Sequence, residues 1–197
     1  IKDHIAEVRY TILELRTTDE GSADLEEALR EAGDRIVGGA GIRFELSVTG
    51  TPRACGSEVG RELLRIAREA MRNAVRHAGA TCVTVELRHT DDALHLVISD
   101  NGSGIPKEEL ALALSRHATS KIATLDDLES IRSLGFRGEA LASIASVSAL
   151  TLSSRTHAAK HAWAVSVENG AVAEPKPAAH EPGTSVEAQE LFFNTPA

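Results

Sequence analysis

The chain has 197 residues, 42% hydrophobic and 25% charged, enough for one substantial core and too apolar for a disordered chain. Its net charge of −8, split as −5 over residues 1–104 and −3 over 105–197, argues against a general nucleic-acid binder and leaves room only for a local basic groove. Cys55 and Cys82 lack metal-ligand or redox spacing, no apolar run approaches ~18 residues and no signal peptide opens the chain, so a cytoplasmic protein without a membrane segment is expected.

Residues 2–17, KDHIAEVRYTILELRT, place Ile5, Val8, Ile12 and Leu15 on a coiled-coil-like seam. That pattern suits a homodimerising helix or a helix lying on its own domain. A second helix is predicted over 23–37, stopped by the glycines of GGAG, and IRFELSV (42–48) alternates like a strand. The strongest helical pattern is EVGRELLRIAREAMRNAVRHA (58–78), with a broad apolar face that includes Leu63, Ile66, Ala67 and Ala70. ATCVTVELRH and ALHLVISD then predict two strands joined by the turn at TDD. Beyond Pro106 come a helix over 107–115, a polar loop, a short helix over 125–133, and GEALASIASV as another helix. ALTLSSRT, HAWAVSV and TSVEAQEL predict three final strands. The sum is α+β: helices on one face of a mixed, mostly antiparallel sheet. The chain opens inside a helical pattern without methionine and stops at FFNTPA, as expected of a piece cut from something longer.

Glu69, Asn73 and His77 lie four residues apart and share one stripe of the 58–78 helix. A solvated helix edge accounts for them. So does a magnesium site, because Mg²⁺ takes few protein ligands alongside waters and substrate phosphates, and one Asn oxygen suffices. Glu69, one turn earlier, could then orient or deprotonate a water attacking a γ-phosphate. Asp100-Asn101-Gly102-Ser103-Gly104 closes a strand. A carboxylate there can accept from the exocyclic amine of adenine, with Gly102 and Gly104 letting backbone approach a flat ring. A type I′ Asn-Gly turn explains the same residues. In SLGFRGEALASI, Gly135, Phe136, Arg137 and Gly138 precede a helix start, where free amides and the guanidinium suit an anion, and a plain loop–helix junction is the alternative. RHATSK offers Thr119, Ser120 and Lys121 on a loop able to cover phosphates, or simply a solvated loop. Thr184, entering a late strand behind Gly183, could place a hydroxyl near the base.

The order of these pieces resembles the GHKL family of ATP-binding domains: Glu-x-x-x-Asn on a helix, Asp-x-Gly-x-Gly, a lid, Gly-x-x-Gly, then Gly-Thr. That resemblance implies a Bergerat fold and an ATP site between helices and sheet. It further implies Mg²⁺ held through Asn73, adenine recognition by Asp100, and phosphate contacts from the lid and Gly135–Gly138. Within the family, IAREAMRNAVRHAGATCVTVELRHTDDALHLVISDNGSGIP resembles the sensor histidine kinases of the nitrate- and oxygen-responsive type, including the Arg-His before Ala-Gly-Ala. Residues 105–197 instead resemble the MutL mismatch-repair ATPases, through KEELALALSRHATSKIATLDDLESIRSLGFRGEALASIASVSALTLSSRT and KPAAHEPGTSVEAQELFFNTPA. The change falls near 100–107, where basic usage also shifts, from twelve arginines and one lysine before it to four of each after it. The organisation expected is a dimerisation-helix end at 1–20 and one ATP-binding domain over 21–197, kinase-like to 104 and MutL-like from 105.

Two departures qualify the kinase half. His4 is preceded by Asp3 and followed by Ile5, so it lacks the acidic residue that should follow a phosphoacceptor, and the short Gly-x-Gly-Leu lid is absent after 104. The function expected is therefore ATP–Mg²⁺ binding with weak hydrolysis, on a recombined or engineered chimera. The alternatives are the catalytic domain of a sensor kinase and a hybrid that binds nucleotide without turnover. DNA or mismatch-repair proteins as partners follow from the resemblance and find no support in the net charge.

Overall fold

A computed structural model describes residues 21–52, 56–91, 93–114, 149–168 and 171–191. The helices expected over 2–17, 125–133 and 138–147 lie outside them. Helix α1 (Gly21–Ile36) buries Leu25, Leu29 and Ala32 at spacings of three and four, and Phe44 packs onto Gly33, where a Cβ would sit 2.0 Å from its ring. Strand β1 (Arg43–Thr49) follows, half-buried on alternate residues. Helix α2 (Ser57–Asn73) buries Leu63, Leu64, Ile66, Ala67 and Met71 and packs on α1. The predicted helix over 58–78 does not run to its end as α-helix. Its last turn, Ala74–Ala78, widens to a π-turn that stops on Gly79 at φ 60°.

Strands β2 (Cys82–His89) and β3 (Ala93–Asp100) form the expected hairpin, and helix α3 (Lys107–Leu114) follows Pro106. Its first residue, Lys107, holds its ammonium 3.6 Å from the centroid of the Trp163 ring. Strands β4 (Ala149–Arg155), β5 (Ala162–Glu168), β6 (Ala171–Val172), β7 (Lys176–Ala178) and β8 (Gly183–Leu191) complete the described residues. Two of these, β6 and β7, are absent from the sequence-based expectation. They are two and three residues long, and β7 contains Pro177, which cannot donate to a ladder and suits only a sheet margin.

The strands join one sheet in the order β1-β2-β3-β8-β4-β5-β6, with β7 also pairing β5. Only the β1–β2 pair is parallel among those described; the rest are antiparallel, which gives the expected α+β class. Alternation turns Val83, Val85, Leu87, Leu94, Leu96, Ile98, Leu150, Leu152, Val165, Val167, Val186 and Ala188 to the face covered by the helices. Each large side chain buried there stabilises the fold by about 1.5–3 kcal/mol. The other face carries smaller or polar residues such as Thr84, Ser99, Ser153, Ser166 and Ser185. No described helix is long and apolar enough to cross a membrane.

Candidate functional site

Two predicted motifs meet at one end of the sheet. The loop after Asp100 is latched to the end of the π-turn: Ser103 N–H donates to Ala78 O at 2.8 Å. Gly102 is buried against the same carbonyl, and a Cβ on it would stand 2.4 Å from Ala78 O. Asn101 fastens the loop to the start of β2, its Oδ1 accepting from Thr81 N–H at 2.9 Å and Cys82 N–H at 3.0 Å while its Nδ2 donates to Thr81 Oγ1 at 2.9 Å. The stretch that carries Asn73 and His77 is thus fixed directly to the stretch that carries Asp100.

The glycines overturn one of the two sequence readings. Gly102 is not among the positive-φ glycines, so the type I′ Asn-Gly turn, which needs φ above zero there, is excluded. Gly104 has φ 72° and lies against β4, where a Cβ would be 2.1 Å from Arg155 O. Both accommodate protein backbone, from Ala78 and from Arg155.

Asp100 is half-buried on the helix-covered face and pairs with Thr184 across β3 and β8. Its Oδ1 accepts from Gly102 N–H at 2.8 Å. Burial pushes this carboxyl above its usual value, while the Gly102 N–H, the nearby His180 and the Thr184 N–H draw it back down. Beside Thr184, Gly183 adopts φ 131°, and a Cβ there would come 2.0 Å from Asp100 O. Ser154, only 1% exposed, joins these strands through three contacts: Ile105 N–H at 2.7 Å, Gly183 O at 2.7 Å and Thr184 Oγ1 at 3.0 Å. Sequence reasoning missed Ser154 and the latching role of Asn101. The signal for Ser154 was present, because Leu150, Leu152 and Ser154 share one side of a strand whose other members there are core residues.

Of the helix stripe, Glu69 is half-buried and ion-pairs with Arg72 at 4.0 Å, while Asn73 and His77 are exposed. Among the described residues no group of three or more His, Cys, Asp or Glu could cage a metal ion. An exposed Asn amide oxygen one turn from a carboxylate fits Mg²⁺, which keeps waters and phosphate oxygens as its other ligands. Thr119, Ser120, Lys121, Gly135, Phe136, Arg137 and Gly138 lie outside the described residues. A shallow depression lined by Arg155, Lys160, His161 and His180 opens near this end of the sheet and contains none of the predicted site residues.

A family profile described as histidine kinase-, DNA gyrase B-, and HSP90-like ATPase matches residues 58–190. The DNA mismatch repair protein MutL of Aliivibrio salmonicida is 57% identical over 133 residues, 67% of this chain and 20% of that protein. MutL of Xanthomonas oryzae pv. oryzae is 56% identical over 133 residues, 67% of this chain and 21% of its own length. The chain therefore spans about a fifth of these curated relatives. Their matched stretch is longer than residues 105–197 and so reaches into the first half. Among solved structures, a mycobacterial sensor histidine kinase, MprB, superposes with a TM-score of 0.52 at 20% identity, covering 84% of this chain and 92% of that one, which is a likeness of fold.

Proposed function

The chain belongs to the histidine kinase-, DNA gyrase B- and HSP90-like ATPases, and from that premise we propose that it is an ATP–Mg²⁺-binding module with MutL-like phosphate contacts and slow hydrolysis. The observation that carries the reading is the placement of Asp100: a half-buried carboxylate at a strand end, braced by Gly102 N–H and paired with Thr184. Such a group offers fixed acceptor oxygens to the exocyclic amine of adenine. Gly102 and Gly104 shape the loop that holds it. Asn73 would hold Mg²⁺ through its amide oxygen, the ion would supply the neutralisation of phosphate charge, and His77 stands one turn beyond on the same exposed stretch. Glu69, half-buried and 4.0 Å from Arg72, takes the proton of the attacking water. The phosphate contacts are assigned to Thr119, Ser120 and Lys121 and to Gly135, Phe136, Arg137 and Gly138, as the family resemblance implies.

The phosphate-side motifs favour this reading over a sensor-kinase catalytic domain, since KEELALALSRHATSK and SLGFRGEALASI replace the kinase lid. The domain assignment at 1–20 and 21–197, a change of ancestry near 100–107, and homodimerisation through residues 2–17 belong to the same proposal. Partners in DNA mismatch repair follow from the MutL likeness alone.

Isothermal titration with a non-hydrolysable ATP analogue checks the reading. Binding that requires Mg²⁺ is expected, and Asn73→Ala should weaken that Mg²⁺-dependent complex about tenfold or more. A folded chain giving no heat at millimolar nucleotide would refute the site.

A further inference from the structure

Ser154 has one proton and three close neighbours. Its Oγ lies 2.7 Å from Gly183 O, and a carbonyl cannot donate, so the Ser154 O–H points there. With the proton placed elsewhere, two oxygens would face each other at that distance with nothing between them. One Ser154 lone pair accepts from Ile105 N–H at 2.7 Å. The remaining lone pair faces Thr184 Oγ1 at 3.0 Å, and since Ser154 has no second proton, Thr184 must be the donor in that contact. The Thr184 hydroxyl is thereby spent inward, toward a residue only 1% exposed. What Thr184 has left for anything arriving beside Asp100 is lone pairs.

We propose that Ser154 is the specificity-determining positioning residue behind Asp100: by consuming the Thr184 proton it leaves the Asp100–Thr184 pair presenting acceptors only, selecting a 6-aminopurine over a 6-oxopurine. This rests on the ATP reading given above. Asp100 and Thr184 are register partners on adjacent strands, so their side chains stand on the same face and close together. An exocyclic amine brings two N–H donors to two acceptors. A 6-oxopurine brings an N1–H that one of the two acceptors can take, but its 6-oxo oxygen then meets the other acceptor's lone pairs without a proton to share. Sites built to hydrogen-bond one partner reject the mismatched analogue because buried polar groups are then left unpaired.

Competition binding of ATP and inosine 5′-triphosphate to the 197-residue chain tests this. The two ligands differ only at the 6-position and its N1 proton. Wild type should prefer ATP by about tenfold or more. Ser154→Ala frees the Thr184 O–H to donate to a 6-oxo group, so the preference should fall several-fold, mainly through tighter binding of the inosine nucleotide. Thr184→Val removes both the hydroxyl and its lone pairs and should also lower the preference, without disturbing the other two Ser154 bonds. It decides the matter if Ser154→Ala fails to fold. In the Thr184→Val background, adding Ser154→Ala should change nothing further, which a merely structural role for Ser154 does not predict. ATP binding with an unchanged preference in the folded variants would overturn the proposal and leave the ATP reading intact. Failure of the wild type to bind ATP would overturn both.

Discussion

Burial raises the Asp100 carboxyl above its ordinary value of 3.8, so the folded chain holds that proton more tightly than the unfolded chain does. The sign of the stability effect follows. Between pH 3.8 and the raised folded value, the folded state binds more protons than the unfolded one, and stability falls as pH rises through that window. At neutral pH the ionised carboxylate is a net cost to the fold, retained in spite of the braces from Gly102, His180 and Thr184. Asp100→Asn should therefore leave the neutral-pH melting temperature unchanged or raised, while weakening ATP binding by about ten- to a hundredfold, the scale of a hydrogen bond to a charged group. Melting curves and titration on the same variant check both halves, and a variant that is destabilised at neutral pH yet binds normally would contradict the assignment. An amine donor favours the carboxylate, so ATP affinity in the wild type should begin to fall on acidification at a pH above 3.8.

At the scale of elements, the join between the π-turn and the Asp100 loop depends on a missing side chain. A Cβ on Gly102 would lie 2.4 Å from Ala78 O and 2.5 Å from the Ala78 Cβ, so Gly102→Ala must push the loop off the helix end. A cost of about 1–3 kcal/mol is expected, with loss of nucleotide binding, because the loop carries Asp100. Gly39→Ala is the control: its φ is not positive and nothing lies within 4 Å of a Cβ there, so it should be nearly neutral in a urea melt followed by Trp163 fluorescence. Equal costs for the two would show that the latch carries no strain. The described helices and long strands were legible because their apolar periods are long and unbroken: α2 and the β2–β3 hairpin fall within a few residues of expectation. What the periodicity could not show is where α2 stops being an α-helix, since the apolar pattern runs on through Ala74 and Val75 while the backbone widens. Nor could it show that Gly102 and Gly104 are needed for Ala78 and Arg155. Those are contacts between segments far apart in sequence, which local spacing does not encode. Asp100 and Thr184 were legible as separate candidates; their pairing, and Ser154 behind it, required the strand order.

That strand order bears on the whole molecule. β3, before the proposed change near 100–107, pairs along Ala93–Asp100 with β8, after it, and β8 in turn pairs with β4. A difference in ancestry near 100–107 would thus not be a boundary in the fold, because the two halves interdigitate in one sheet and share one core on its helix-covered face. Leu94, Leu96 and Ile98 on β3 and Val186 and Ala188 on β8 are all at most 7% exposed, and neither set keeps that burial if the other strand leaves. The core should then unfold as a single cooperative unit. Native-state hydrogen exchange measures this directly: interior amides of β3 and β8 should exchange with one common opening free energy, equal to that from global denaturation, and share one denaturant dependence. Strand β6, two exposed residues at the end of the sheet order, should exchange earlier by local opening. A lower opening free energy for β8 and β4 than for β2 and β3 would mark the halves as separately unfolding units, and would place a structural seam at the change proposed near 100–107.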